Sequence, residues 1–536
     1  MAQKSLARNT FIVALGTMLS RILGLWREIL ISASFGATWV TDSFLIAYTI
    51  PNLLRRLFAE GALSTSVIPI FSQYNVQNKK DSREALQFIA SVFSGLTLVV
   101  SLICLIGIIA SPAIVYLVGI GFRDSPEQML LTTRLTQIMF PFLLLISWAA
   151  LAMGVLNSLL VFSWSAVAPV FFNLGIIASL YLLQDILGPY CLAVGVLLGG
   201  LGQFVVQVIP LRRLNFPLRF KWFFWIDPGF KKLFRLMLPV SFALAVSQIN
   251  TLVDRVIAST CREGAVSALY FSDRLMELPL GVLGIAVSTV ILPALSQEIH
   301  RRNINQWKAT LSQGMRFVVF IMFPVSLFII IFRTELVQLV YQRGLFDSIA
   351  TDMTTQALFF YTFGLPFLAL VHIYTKAFYS LQDTQTPVKI SVMMVGVNIV
   401  LDLLLVQFLD FGGLALATSL TAILHFICLG FFLKRNHFSF SLDNLFLRWM
   451  GKVALQIVLF LFLAFGFAQW TEGWKGIVPS LLILTIIGIG LALFYLFLSF
   501  MFKLEEVEPV KSLLTKIRFR IKLNNGEDNE KSDLED

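Results

Sequence analysis

Arg21 and Arg27 stand inside the first long apolar stretch of the chain, where a bilayer-spanning helix ordinarily carries no charge. A charge near mid-bilayer costs roughly 2.5 to 3.5 kcal/mol on insertion scales, so it persists where it faces protein, water or a ligand. More ionisable residues follow in similar surroundings: Asp42, Arg55, Arg56, Glu60, Asp254, Arg255, Asp273, Arg274 and Glu277. A guanidinium keeps its charge and presents its donors in a planar fork that matches phosphate oxygens. Convergence of Arg21, Arg27 and Arg274 would therefore suit a pyrophosphate better than an organic cation. The expected ligand is anionic and phosphate-bearing.

Some of these charges can instead satisfy one another. Asn52, Arg56 and Glu60 fall on one helical stripe, with Arg55 pointing elsewhere, and Arg274 reaches Glu277 at i+3. On an ideal helix Arg21 and Glu28 share a face, whereas Arg27 lies about 120° round from Arg21. A bend at Gly24 would allow both arginines one target. The competing reading pairs the arginines with Glu28, Asp42, Glu60 and Glu277, or lets them snorkel to the headgroups.

The elements that must position these residues are membrane helices. Of 536 residues, 57% are hydrophobic and 13% charged, against about 25% charged in soluble domains. Fourteen apolar stretches, from 8–34 and 40–74 through 231–260 to 448–470 and 475–502, each approach the length needed to cross a bilayer as a helix. Lys and Arg are concentrated in alternate connections, at Lys79, Lys80 and Arg83, at Arg212 to Lys232, at Arg301 to Lys308, and at Lys434 and Arg435. By the positive-inside rule these connections and both termini are cytoplasmic. The net charge of +10 thus expresses topology and attraction to anionic membrane lipids, not nucleic-acid binding.

The chain also repeats itself. Ala62–Gln73, ALSTSVIPIFSQ, returns as Ala286–Gln297, AVSTVILPALSQ, 224 residues later; Pro141-Phe142 and Asn173 return as Pro366-Phe367 and Asn398, each after 225. Six spans separate the copies, so both enter the membrane with the same orientation. The expected fold is an all-α polytopic membrane protein of about fourteen transmembrane helices, in two parallel six-helix lobes plus two C-terminal helices. Substrate would lie between lobes that rock in alternating access. The boundaries are an N-lobe at 1–212, a cytoplasmic linker at 213–230, a C-lobe at 231–434, two further helices within 435–502 and a cytoplasmic tail at 503–536.

No connection is long enough for a catalytic domain of about 50 residues, and no G-x-x-x-x-G-K-[ST] phosphate loop is present. Neither the four histidines nor the four cysteines have metal-ligand or paired spacing. The reading is a transporter rather than an enzyme, with no cofactor and no metal; a coupling ion is left unidentified.

Several segments resemble a known family. Ser20-Arg21-Ile22-Leu23-Gly24-Leu25-Trp26-Arg27-Glu28, Thr41-Asp42-Ser43-Phe44, Pro51-Asn52-Leu53-Leu54-Arg55-Arg56-Leu57-Phe58-Ala59-Glu60-Gly61-Ala62 and Asp273-Arg274-Leu275-Met276-Glu277 look like the MurJ (MviN) lipid II flippases, as does the Asp-Thr-x-Thr-Pro run at Asp383 to Pro387. The resemblance covers nearly the whole chain. It implies the fold of the multidrug, oligosaccharidyl-lipid and polysaccharide exporters, with helices thirteen and fourteen forming a groove for a polyprenyl tail. It implies transfer of undecaprenyl-pyrophosphate-linked disaccharide-pentapeptide to the outer leaflet of the bacterial cytoplasmic membrane, for peptidoglycan synthesis and beside other cell-wall synthesis proteins. It carries substrate binding onto Arg21, Arg27, Arg55 and Arg274, and gating or charge pairing onto Glu28, Asp42, Asn52 and Glu277. Glu28 departs from the Asp of many members. The alternatives are export of another polyprenyl-linked sugar or of drugs, the latter favouring acidic and aromatic cavity walls, and a non-transporting scaffold, which would tolerate neutral substitutions at the arginines.

Overall fold

In the computed structural model the described residues are 2–57, 62–77, 82–437, 444–471 and 477–508, and among them the regular elements are helices. Within hydrocarbon every backbone N–H and C=O must find an internal partner, which an apolar run does by coiling into a helix. The helices are α1 (Ala2–Phe35), α2 (Trp39–Arg55), α3 (Ala62–Gln77), α4 (Ser82–Val118), α5 (Pro126–Met139), α6 (Phe142–Ser158), α7 (Phe162–Leu187), α8 (Tyr190–Arg213) and α9 (Pro228–Ser259). They continue with α10 (Ala265–Pro279), α11 (Ile285–His300), α12 (Ile304–Ile331), α13 (Arg333–Tyr341), α14 (Ser348–Ser380), α15 (Gln385–Leu409), α16 (Phe411–Asn436), α17 (Asn444–Thr471) and α18 (Ile477–Met501).

Among the described residues eleven helical stretches are long and apolar enough to cross a membrane. The other three stretches expected from the sequence fall on α1, on α2 with α3, and on α9. These carry Arg21, Arg27, Asp42, Arg55, Asp254 and Arg255, which lower their hydropathy without changing their helical form.

The internal repeat is visible in the backbone. Arg56 and Leu57 are in π-helical geometry a few residues ahead of the first copy, and Leu280–Gly284 forms a π turn just ahead of the second. Such turns insert an extra residue into the helical ladder and are frequent at functional sites. The Pro141 landmark separates α5 from α6, whereas its counterpart Pro366 lies inside the continuous α14.

Contacts divide the chain into two compact units. One comprises 1–272, 340–357 and 395–417; the other comprises 273–339, 358–394 and 418–536. Inside the first unit α7 packs along α8 at short range, because a Cβ on Gly175 would come 2.4 Å from the Gly199 nitrogen. Small residues let membrane helices approach this closely. In the second unit α12, α17 and α18 share an apolar core that includes Phe320, Phe332, Val453, Phe460, Leu491 and Tyr495. Buried Gln456 fastens α17 to α18, its Nε2 donating to the Tyr495 carbonyl at 2.7 Å.

Candidate functional site

Arg27 and Glu28 form the centre of a polar network inside the first unit. The Arg27 guanidinium pairs with the Glu28 carboxylate, donates to Asn173 Oδ1 at 3.1 Å and lies 5.8 Å from the centre of the Phe172 ring. The Arg27 side chain is 16% exposed and that of Glu28 3%. The Tyr270 hydroxyl donates to Glu28 Oε1 at 2.8 Å, and the Arg255 guanidinium stacks over the Tyr270 ring at 5.4 Å. Asn173 is anchored in turn by its amide, which donates to the Ser20 carbonyl at 2.9 Å. This fixes α7 against α1 beside Gly24, whose Cβ position is 3.7 Å from Asn173 Nδ2.

The helical wheel placed Glu28 on the face of Arg21; the ion pair instead joins Glu28 to its neighbour Arg27. The reason is axial distance, since seven residues rise about 10 Å along a helix, whereas two long adjacent arms can meet beside it. Helix α1 continues unbroken through Gly24, and Arg21 is exposed.

Arg55 is held by Asn52, whose Oδ1 accepts from Arg55 Nε at 2.9 Å. Arg56, the residue expected to share a stripe with Asn52, reaches Gln248 Oε1 at 3.4 Å. Glu60 lies outside the described residues. In the second unit Arg274 pairs with Glu277, as the i+3 spacing anticipated. The structure thus brings together Arg27 with Glu28, Arg55 with Asn52, and Arg274 with Glu277.

Asp42 meets none of these arginines. It is 2% exposed and accepts from the backbone amides of Gly264 at 2.7 Å and Ser267 at 2.8 Å, and from the Ser267 hydroxyl. Those amides open α10, so a carboxylate on α2 caps a helix more than 220 residues away. Close backbone approaches accompany it. Gly264 has φ +81° and a Cβ there would stand 2.3 Å from the Ala37 carbonyl; Gly344 has φ +60° and its Cβ would stand 2.2 Å from the Ala33 carbonyl. Leu345 N donates to that same Ala33 carbonyl at 2.8 Å. A polar cavity of about 320 Å³ adjoins the seam, with Asp42, Gln128, Cys261 and Glu263 among its walls.

A second polar cluster was only half legible. Asp254 on α9 interacts electrostatically with Asp402 on α15, and Asn250 Nδ2 donates to Asp254 Oδ2 at 3.3 Å. Both Asp402 oxygens, Asp254 Oδ1 and both polar atoms of nearby-numbered Asn398 are buried without a hydrogen-bond partner among the described residues. Two carboxylates so placed repel unless a proton or cation stands between them. Oxygen-only donors of this kind suit a hard cation. Asp402, the one carboxylate in its apolar stretch, was the signal available in the sequence.

A family model described as lipid II flippase MurJ matches residues 31–487. A probable lipid II flippase MurJ of Vibrio cholerae is 37% identical, over 79% of this chain and 82% of that protein. A lipid II flippase MurJ of Burkholderia cenocepacia is 35% identical, over 78% and 82% respectively. Among solved structures, a lipid II flippase MurJ in an inward closed conformation matches with TM-score 0.78 and 28% identity, covering 92% of this chain and 98% of that one. An inward-facing multidrug resistance transporter of the MATE family matches with TM-score 0.62 at 14% identity, covering 80% and 99%, a likeness of fold alone.

Proposed function

Because the chain belongs to the lipid II flippase MurJ family, we propose that it carries the lipid-linked peptidoglycan precursor from the cytoplasmic to the outer leaflet of the inner membrane by alternating access. The family match along residues 31–487 is the observation that carries this reading. Both termini are assigned to the cytoplasm, residues 1–212 and 231–434 to the two lobes, 213–230 to their linker, and 435–502 to a groove for the lipid tail.

The substrate's pyrophosphate is assigned to Arg21, Arg27, Arg55 and Arg274. What supports this is their chemical type together with the way two of them are braced. Arg27 is held by Glu28 and Asn173, and Arg55 by Asn52, so their forks are oriented before a ligand arrives. Preorganisation of this kind lowers the ordering cost of binding. Exposed Arg21 supplies a charge free to move toward the phosphates. Glu28 and Glu277 act as the counter-ions that hold Arg27 and Arg274 between substrates.

Asp42 is assigned to a gate. With the termini cytoplasmic, the seam at Asp42, Gly264 and Gly344 lies at the outer end, and its closure leaves substrate access from the cytoplasmic side. The Asp254–Asp402 pair is assigned to energy coupling, by a proton or cation bound between the carboxylates. A membrane potential supplies about 2.3 kcal/mol per charge per 100 mV to such a step.

The test is complementation of a bacterium depleted of its own flippase, with lipid II measured in each leaflet. The wild-type chain should restore translocation and Arg27→Ala and Arg274→Ala should abolish it. Unchanged translocation by both variants would sink the arginine assignment. Failure of the wild-type chain in a compatible host would count against the flippase itself.

A further inference from the structure

The connection between α8 and α9 carries an aromatic cluster that the transport reading leaves unused. Phe220, Trp222, Phe223, Trp225 and Ile226 are all exposed, Trp222 by 77%. Exposure on this scale within seven residues marks an interaction surface.

The cluster is held rigidly from beneath. Lys221 N donates to Ser94 Oγ at 2.6 Å, and Ser91 Oγ donates to Asp227 Oδ2 at 3.0 Å. Phe224 is the one buried ring of the run, set edge-on to Phe230 at 5.2 Å. Gly95 makes room for both, since a Cβ there would come 2.3 Å from Phe230 and 3.0 Å from Phe224. Asp227 also caps α9 through the amides of Gly229 at 2.9 Å and Phe230 at 3.3 Å. One face of the loop is thus buried on α4, and the other rings project outward.

The attachment point fixes depth. The loop meets α4 at Ser91, Ser94 and Gly95; one turn further on, exposed Leu98, Val99 and Leu102 begin the lipid-facing surface of that helix. From Leu98 to the end of α4 at Val118 is twenty residues, about 30 Å of helix and the thickness of the hydrocarbon core. The rings therefore sit at the level of the headgroups, where Trp and other amphipathic aromatics partition.

Charge selects the lipid. Arg212, Arg213, Arg219, Lys231 and Arg235 flank the rings and are exposed. From Ile186 to Val253 Asp227 is the only acidic residue, and it is engaged by Ser91, by the α9 amides and by Lys221 at 3.9 Å. We propose that residues 212–235 form a binding surface for anionic phospholipid headgroups of the cytoplasmic leaflet, with the exposed rings inserted at the interface and the cations on the phosphates. The side of the membrane rests on the orientation assigned above.

The test is native mass spectrometry of the full chain in detergent, titrated with phosphatidylglycerol or phosphatidylcholine. The wild type should retain phosphatidylglycerol preferentially. Arg212→Gln/Arg219→Gln/Lys231→Gln should lose that preference by at least roughly tenfold, and the control Arg301→Gln/Arg302→Gln should keep it. Arg212→Lys/Arg219→Lys, which conserves charge and guards against a folding artefact, should also keep it. Equal retention of the two lipids by the wild type would overturn the proposal, as would an equal loss in the test and control variants. Lipid retention is read without translocation, so its failure leaves the flippase reading standing.

Discussion

The Asp42 carboxylate accepts the Ser267 amide at 2.8 Å, so a residue near the start of one helix completes the hydrogen bonding at the start of another. The first amides of any helix lack an internal partner, and α10 receives its partner from α2. Helix capping, usually a local device, here joins α2 to α10 across 222 and 225 residues of sequence.

Removing that cap should loosen the seam. Asp42→Ala is expected to cost about 1 kcal/mol, the usual worth of a helix cap, which is about a fivefold gain in the separated state. Cys261 lines the adjoining cavity and serves as the reporter. Its labelling by a membrane-impermeant maleimide should accelerate several-fold in Asp42→Ala while translocation falls. An unchanged labelling rate would mean the cap does not govern the seam.

Cys261 itself should be slow in the wild type. Burial, then a hydrogen bond and charge repulsion from Asp410, push its thiol well above the ordinary range. The thiolate is the reactive form, so labelling should climb steadily from pH 7 to pH 9 without a plateau. Asp410→Asn removes the charge repulsion and should move the profile to lower pH. A pH-independent rate in both proteins would contradict the account.

The Arg27–Glu28 pair should be strongly coupled. Each partner is shielded from solvent, and removal of one partner of a buried pair costs roughly 3 kcal/mol because the other charge is stranded. Thermal unfolding should find Glu28→Ala severely destabilised and the double variant Arg27→Ala/Glu28→Ala less so. Tyr270→Phe should have a smaller effect, since only one hydrogen bond to Glu28 is lost. Strict additivity of the two alanine substitutions would show that the pair makes no stabilising contact.

The helical stretches were legible because an apolar run in a bilayer must satisfy its own backbone, and eleven of them are long and apolar enough to cross a membrane among the described residues. Pairings were less legible. Glu28 satisfied the helical periodicity with Arg21 yet bonded to Arg27, and Asn52 satisfied it with Arg56 yet bonded to Arg55. Periodicity gives the face of a residue, whereas arm length and axial rise decide which charges touch. The role of Asp42 depends on amides 222 and 225 residues away, which no local pattern encodes. Asn173, by contrast, is marked in the sequence as a polar repeat landmark inside an apolar stretch, and its Oδ1 accepts from Arg27.

The Asp254–Asp402 cluster should respond to small cations. A cation between the carboxylates binds the folded state alone and stabilises it by mass action, so the midpoint of unfolding should rise when choline chloride is replaced by sodium or potassium chloride at equal ionic strength. Asp402→Asn should abolish that dependence. Identical responses of wild type and variant would remove the cluster from energy coupling.

Asp383 offers a test of the Asp-Thr-x-Thr-Pro run as structure. Its Oδ1 accepts from the Thr386 amide at 3.0 Å, its Oδ2 accepts from the Thr386 hydroxyl at 2.7 Å, and the His437 ring lies 3.0 Å from Oδ2. The motif therefore caps α15 and ties it to the end of α16. Burial raises the carboxyl, but the bonds from Thr386 and His437 outweigh it and hold it below its ordinary value. A depressed carboxylate contributes stability that is present above its unfolded pKa, near 3.9, and is lost as pH falls through the lower folded value. Asp383→Asn should cost about 1 kcal/mol at neutral pH and flatten the acid limb of the stability profile. The chain with Asp383 should keep its full margin to about pH 5 and lose it below. Should Asp383→Asn abolish translocation while leaving the unfolding midpoint unchanged, the run would have to act on substrate rather than on the helix.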